Sequence, residues 1–140
     1  MRREDFQSKL LQAQSLAIIS NDKEKEIARE GINRARKQLE INPTDRRTLS
    51  LTSVYMFGLG DREEAISWIN KALDLYPEDA GVIFNAAYLF ARDGNKEKAL
   101  DLLEKIFGKG FGKKDWIEHD PDYDSLRNEP RFIALLTKLQ

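Results

Sequence analysis

Few residues of this chain could carry out catalysis or hold a metal ion. The 140 residues include one histidine, His119, and no cysteine, so no second histidine or thiolate is present to complete a zinc site. No nucleophile, base and orienting group can be assembled around His119 from the sequence motifs. We expect His119 to be a surface or helix-capping residue, and we predict a protein that is not an enzyme and needs no cofactor.

An acidic run beside His119 is the candidate for a cation site. Asp120, Asp122 and Asp124 have the alternating spacing with which a calcium-binding loop begins. The pattern then fails, because Ser125 stands where such a loop needs glycine and an arginine stands where it needs a bidentate glutamate. We therefore predict no metal site, and we expect these carboxylates to cap short helices.

Phosphate and nucleic-acid binding are disfavoured by the distribution of charge. The glycine-rich stretch at residues 108–112 lacks the preceding strand and the Gly-Lys-Ser/Thr ending of a phosphate loop. Basic residues occur in short groups interleaved with acids, at Arg34, Arg36 and Lys37, at Arg46 and Arg47, and at Lys109, Lys113 and Lys114. A nucleic-acid footprint usually makes a whole face positive, so we predict a solvated surface.

The composition favours a soluble protein. Charged residues make up 34% of the chain and the net charge is -1. No run approaches the ~18 apolar residues of a membrane span, and no apolar signal core follows Met1. We expect a single cytoplasmic domain that does not bind membranes.

A repeat of 34 residues organises the middle of the chain. Leu49 returns as Ile83, and Gly60 returns as Gly94. Such a period predicts a helix, a tight turn and a second helix, stacked on copies of itself. In the first copy, we expect Gly60 to end the first helix and Asp61 to cap the second, with Glu64 at the capping-box position.

Small residues are expected where two helices cross closely. Ser53 and Ala65 would let the backbones approach, whereas a bulky side chain would force them apart. Gly31 occupies the position that corresponds to Ala65, one period earlier. We expect the same close approach there to offset its cost in the middle of a helix.

These residues resemble the tetratricopeptide repeat. The first copy carries the resemblance through Leu49, Thr52, Ser53, Met56, Ala65, Ile69, Ala72 and Pro77, and the second through Ile83, Ala86, Ala87, Phe90, Ala99, Leu103 and Ile106. Phe111 stands where the second copy should have proline. The resemblance implies an all-α fold, a superhelix of antiparallel helix pairs with a C-terminal helical cap.

The rest of the chain is interpreted as the two ends of this array. Residues 1–43 are predicted to form a degenerate helix pair, with a first helix from Phe6 to Ile18 and a second, overlong helix that Asn21 caps. Residues 46–79 and 80–111 are the repeats, and residues 112–140 are predicted capping helices, the last beginning at Pro130. The tail is similar to those that close repeat arrays in bacterial signalling proteins with adenylate cyclase, serine/threonine kinase or transcription-regulator domains.

The resemblance also implies a binding surface. In tetratricopeptide arrays, first helices line a concave groove, and the positions carried over are Arg47, Val54, Phe57, Phe84, Asn85, Tyr88 and Arg92. Asn85 matches an asparagine that such domains often use to hold a peptide backbone. The family's carboxylate clamp is incomplete, because Ser50 and Val54 replace its lysine and asparagine. The implied function is a non-catalytic interaction module or scaffold for a peptide with apolar anchors and some acidic character.

Several alternatives stay open at this point. The amino-terminal helices or the tail could fill the groove, which would make its residues ordinary core. Trp68, on a second helix, is expected to contact the next repeat in preference to forming an outer patch. The chain could instead be a regulatory or assembly segment of a larger bacterial adenylate cyclase or serine/threonine kinase, and self-association through exposed helix faces is a further alternative.

Overall fold

The computed structural model describes residues 21–110, residue 114 and residues 118–138, and every regular element in them is helical. The predicted all-α class is therefore confirmed. The predicted first helix, from Phe6 to Ile18, lies outside the described residues. So do two single residues, Phe111 and Trp116. The elements are α1 (Asp22–Ile41), α2 (Arg46–Gly58), α3 (Arg62–Leu75), α4 (Ala80–Arg92), α5 (Lys96–Gly108), a 3₁₀ helix (Pro121–Leu126) and α6 (Pro130–Lys138).

The chain divides into two compact units. The first is Met1–Asn85 and the second is Ala86–Gln140, so the border falls within α4. The first unit contains α1, α2, α3 and the start of α4, and the second contains the rest of α4, α5, the 3₁₀ helix and α6. That the whole chain is one domain stays a prediction.

The predicted turn inside each helix pair is present in both copies. Gly60 and Gly94 have φ values of 93° and 83°, the left-handed region that side chains rarely tolerate. The N–H of the residue after each glycine donates to the carbonyl five residues earlier, Asp61 to Met56 and Asn95 to Phe90, both at 2.9 Å. Glycine therefore closes both first helices with the same Schellman turn.

The turn between pairs also repeats, and its caps were not identified from the sequence. Oδ1 of Asp45 accepts the N–H of Thr48 at 3.1 Å, and Oδ1 of Asp79 accepts the N–H of Val82 at 3.0 Å. The backbone N–H of Thr48 favours the ionised carboxylate, which lowers the pKa of Asp45 from its usual value. The sequence feature that indicates these caps is an aspartate directly before each first helix, which recurs after 34 residues.

The N-caps predicted for the second helices α1 and α3 had different outcomes. Oδ1 of Asn21 accepts the N–H of Glu24 at 2.8 Å, as predicted. Asp61 stands at the N-cap of α3, but its side chain makes no capping hydrogen bond, so that prediction was wrong. Glu64 instead forms an ion pair with Arg36 of α1, which contributes little because both side chains are about two-fifths exposed.

The core of the first unit lies where α1, α2 and α3 meet. Ile32, Met56 and Ala65 are buried together, one from each helix, and we call them the Ile32 cluster. Ala65 is fully buried, as expected of a small residue at a crossing. Trp68 packs against this cluster, and its expected contact with the next repeat stays a prediction.

The core of the second unit includes the tail. Tyr123, Leu126 and Phe132 are fully buried, and α5 contacts both the 3₁₀ helix and α6. α6 begins at Pro130, as predicted. The described part of the tail therefore covers apolar surface at the end of this unit.

Arginines fix the tail. Arg131 donates from Nη2 to Asp101 and Glu104 of α5, each at 2.6 Å, and these carboxylates raise the pKa of its guanidinium. Arg127 donates to the Asp124 carboxylate at 2.6 Å and to the carbonyls of Asp120 and Glu118. One guanidinium thus joins three points of the segment before α6.

No described residue makes the close approach expected at Gly31. A Cβ built on Gly31 meets no atom of a described neighbouring element within 4 Å, and the residue is half-buried. The first helix of its predicted pair lies outside the described residues. Within the described part of the chain, packing therefore does not offset the cost of this glycine in the middle of α1.

Replacing Gly31 with alanine should raise the free energy of unfolding by about 0.5–1 kcal/mol, because alanine has less backbone freedom to lose in a helix. Urea unfolding followed by circular dichroism measures the change. Gly60→Ala is the matched control, and it should destabilise the chain because Gly60 has a positive φ. A loss of stability in Gly31→Ala would show that a neighbour does contact this position.

Replacing Ala65 with tryptophan should destabilise the chain by about 1–3 kcal/mol, because the larger side chain overfills the Ile32 cluster. The melting temperature of the variant measures this effect. Ser67→Trp places the same side chain on the exposed face of the same helix and should change stability little. Equal melting temperatures for Ala65→Trp and the wild type would place Ala65 away from the helix crossing.

Candidate binding surface

The seven residues predicted to line a groove are divided between the two units. Arg47, Val54 and Phe57 lie on α2 and Phe84 and Asn85 lie on α4, all in the first unit. Tyr88 and Arg92 lie on the part of α4 that belongs to the second unit. The two sets therefore belong to different compact units.

Four of the seven side chains are buried. Val54 is 0% exposed, Phe84 and Tyr88 are each 2% exposed, and Asn85 is 5% exposed. Arg47 and Arg92 are exposed, and Phe57 is half-buried. The buried four are core residues in this structure, as in the alternative of a filled groove, and a partner would reach them only by displacing what covers them.

Helix α4 is buried along most of its length. Every residue from 82 to 91 is buried, whereas a groove-lining helix would leave one face open. The sequence already indicated this burial, since Asn85 is the only residue from 82 to 91 whose side chain is not aliphatic or aromatic. A helix that is apolar on all sides is usually an interior helix.

Asn85 makes a buried polar contact within the first unit. Its Nδ2 donates to Oγ of Ser50 at 2.8 Å, and Oγ of Ser53 donates to the carbonyl of Ser50 at 2.6 Å. Ser50 and Ser53 are 4% and 0% exposed, so these bonds replace water that the polar atoms have lost.

Two adjacent arginines at the start of α2 have different surroundings. Nη1 of Arg46 lies 2.7 Å from Oδ2 of Asp79, in an ion pair that links the starts of α2 and α4. Within the described part of the chain, the guanidinium of Arg47 has no carboxylate partner, and its side chain is exposed. Arg47 can therefore offer positive charge to a bound carboxylate.

Two aromatic residues near the end of α2 are half-buried. Tyr55 and Phe57 both pack against the Ile32 cluster. Burial raises the pKa of the Tyr55 phenol, so this side chain is neutral at physiological pH. Phe57 keeps part of its ring accessible and is the apolar residue of the predicted set that a partner can reach directly.

In the second unit, Arg92 lies against Tyr88. Nη1 of Arg92 is 3.3 Å from the Tyr88 hydroxyl, and its guanidinium carbon is 5.9 Å from the ring centroid. This geometry is a weak cation–π contact between residues one helical turn apart. It orients the exposed guanidinium of Arg92 along the surface of α4.

The residues considered for metal binding and catalysis are not assembled into a site. Asp124 pairs with Arg127, although we expected it to cap a helix. His119 is 85% exposed and lies 3.8 Å from the Glu118 carboxylate. Among the described residues, no group of three or more His, Cys, Asp or Glu side chains could hold a metal ion.

No helix within the described ranges is both long enough and apolar enough to cross a bilayer. The longest, α1, carries charged residues along its whole length.

Removing either partner of the Asn85–Ser50 bond should destabilise the chain by about 1–3 kcal/mol, because the other partner stays buried without a hydrogen bond. The double variant should cost less than the sum of Asn85→Ala and Ser50→Ala, and chemical unfolding of all three measures the difference. Asn33→Ala, at an exposed position of α1, is the control. Strict additivity would mean that the two side chains do not interact.

Comparisons of the chain with protein-family models, with curated proteins and with solved structures found no match.

Proposed function

We propose that this chain is a non-catalytic, cytoplasmic interaction module of the tetratricopeptide type that binds a peptide or protein partner. One observation carries the proposal: the helix pairs recur at 34 residues with the same aspartate cap on the first helix and the same glycine turn after it. That period and turn are those of the tetratricopeptide repeat. Repeat arrays of this kind commonly act through extended surfaces and not through a catalytic centre.

The chemistry of the partner follows from the accessible members of the predicted set in the first unit. Arg47 is exposed, and Phe57 is half-buried. Arginine and aromatic residues are frequent binding hot spots. A segment with carboxylates and at least one apolar anchor suits them best.

A second candidate is a regulatory or assembly segment of a larger bacterial signalling enzyme, such as an adenylate cyclase or serine/threonine kinase. The tail favours it, because the resemblance of the tail is to such proteins and α6 is fixed to α5 by Arg131. A terminal cap of this type closes an array that continues in the other direction. The full reading frame distinguishes the two candidates.

A peptide selection tests the groove directly. Peptides displayed on phage and selected on the wild-type chain should be enriched in acidic and aromatic or aliphatic residues. For a selected peptide, Arg47→Glu should weaken binding about tenfold, or about 1.4 kcal/mol, because a repulsive charge replaces an attractive one. Fluorescence anisotropy measures the dissociation constants.

Arg29→Glu is the matched control, since Arg29 is exposed and lies on α1, outside the predicted surface. It makes the same change in net charge as Arg47→Glu. An equal loss of affinity in both variants would indicate attraction by the net charge of the chain. Selected peptides without acidic residues would contradict the proposed partner chemistry.

A further inference from the structure

Two turns of the first unit lie side by side and form an edge with its own chemistry. The hydroxyl of Tyr76 donates to the carbonyl of Thr44, and Arg46 pairs with Asp79 at 2.7 Å. These bonds join the turn after α1 to the turn after α3. We use the name turn edge for six of the exposed residues in these turns and helix ends. They are Glu40, Ile41, Pro43, Asp74, Leu75 and Pro77.

The turn edge exposes apolar side chains at equivalent repeat positions. Ile41 and Leu75 are the last residues of α1 and α3, and they are 82% and 41% exposed. Pro43 and Pro77 follow them in the sequence and are also exposed. Single exposed apolar residues are ordinary, but here four of them lie on two turns that are joined by a hydrogen bond. Exposed apolar groups concentrated in this way are typical of surfaces that bind another chain.

The same edge carries negative charge at the ends of α1 and α3. A helix C-terminus has roughly half an elementary negative charge, which a basic residue in the last turn usually offsets. Neither α1 nor α3 has a basic residue there. Each has an acid instead, Glu40 or Asp74, and within the described ranges neither carboxylate has an ion-pair partner.

The next second helix of the series, α5, has different residues at two of these positions. Gly108 and Lys109 stand where Glu40 and Ile41 stand in α1. The acidic, apolar ending is therefore specific to α1 and α3 and is not a requirement of the repeat.

We propose that the turn edge binds a basic amphipathic segment of a partner protein. Lysine or arginine side chains of that segment would meet Glu40, Asp74 and the carbonyl ends of α1 and α3, while its apolar side chains cover Ile41 and Leu75. Charge complementarity selects this occupant, because nucleic acids and anionic lipid surfaces are both repelled by the same carboxylates. This binding does not depend on the groove residues of the proposed function.

The probe is a short synthetic peptide of alternating lysine and leucine, compared with peptides in which serine replaces leucine or glutamate replaces lysine. The wild-type chain should bind the lysine–leucine peptide about tenfold more tightly than either, as measured by fluorescence anisotropy at moderate salt. No preference over the lysine–serine peptide would overturn the apolar part of the proposal. No preference over the glutamate–leucine peptide would overturn its electrostatic part.

Variants assign the site. Glu40→Lys combined with Asp74→Lys should weaken binding of the lysine–leucine peptide about tenfold or more, and Ile41→Ser combined with Leu75→Ser should weaken it without a change in net charge. The lysine pair should fold normally, because positive charge at a helix C-terminus is favourable. Circular dichroism of each variant checks its folding.

Glu26→Lys combined with Glu30→Lys is the matched control. Both residues are exposed on α1 away from its C-terminus, and the pair makes the same change in net charge as the test pair. The control should keep wild-type affinity. An equal loss in the control would show attraction by overall charge and would overturn the assignment to the turn edge.

Discussion

Close packing of three helices around a methyl group is the constraint on which the first unit depends. Ala65 of α3 is fully buried between Ile32 of α1 and Met56 of α2, so three helices converge on a residue with almost no side chain. Interiors are packed to near crystalline density, so any larger residue there must move a helix. The half-buried aromatics Tyr55, Phe57 and Trp68 surround this contact and depend on its geometry.

Asp79 connects the starts of two successive first helices, α2 and α4. One of its carboxylate oxygens caps α4 through the N–H of Val82, and the other accepts from Arg46 at the start of α2. A single side chain thus places two successive first helices relative to each other. The Asn85–Ser50 bond joins α2 to α4 further along, at 2.8 Å in the interior. Because buried polar partners are costly to separate, this bond favours one register of the two helices.

The features predicted correctly are those decided within a few residues. Gly60 and Gly94 are recognisable because only glycine readily adopts the left-handed conformation of that turn, and Asn21 because a cap is a local hydrogen bond. The expectations for Gly31 and Asp61 are not met among the described residues, because each depended on a neighbouring element. Whether a Cβ at Gly31 has a contact depends on how α1 lies, and Glu64 was lost to Arg36, 28 residues away. A repeat pattern fixes helix positions better than it fixes side-chain partners.

The same distinction explains the candidate surface. Assignment by repeat position treats α2 and α4 as equivalent first helices, but their compositions differ. α2 has two arginines and four serine or threonine residues, whereas α4 is apolar on almost every face. A helix of the second kind minimises its free energy by burial on all sides, whatever its place in a repeat. Ile27 and Ile133 are exposed on helix faces, and Ile41 and Leu75 are exposed at the ends of α1 and α3, where no later turn of the same helix can cover them. Surfaces available to partners in this chain are therefore set by where its helices stop as much as by which faces they present.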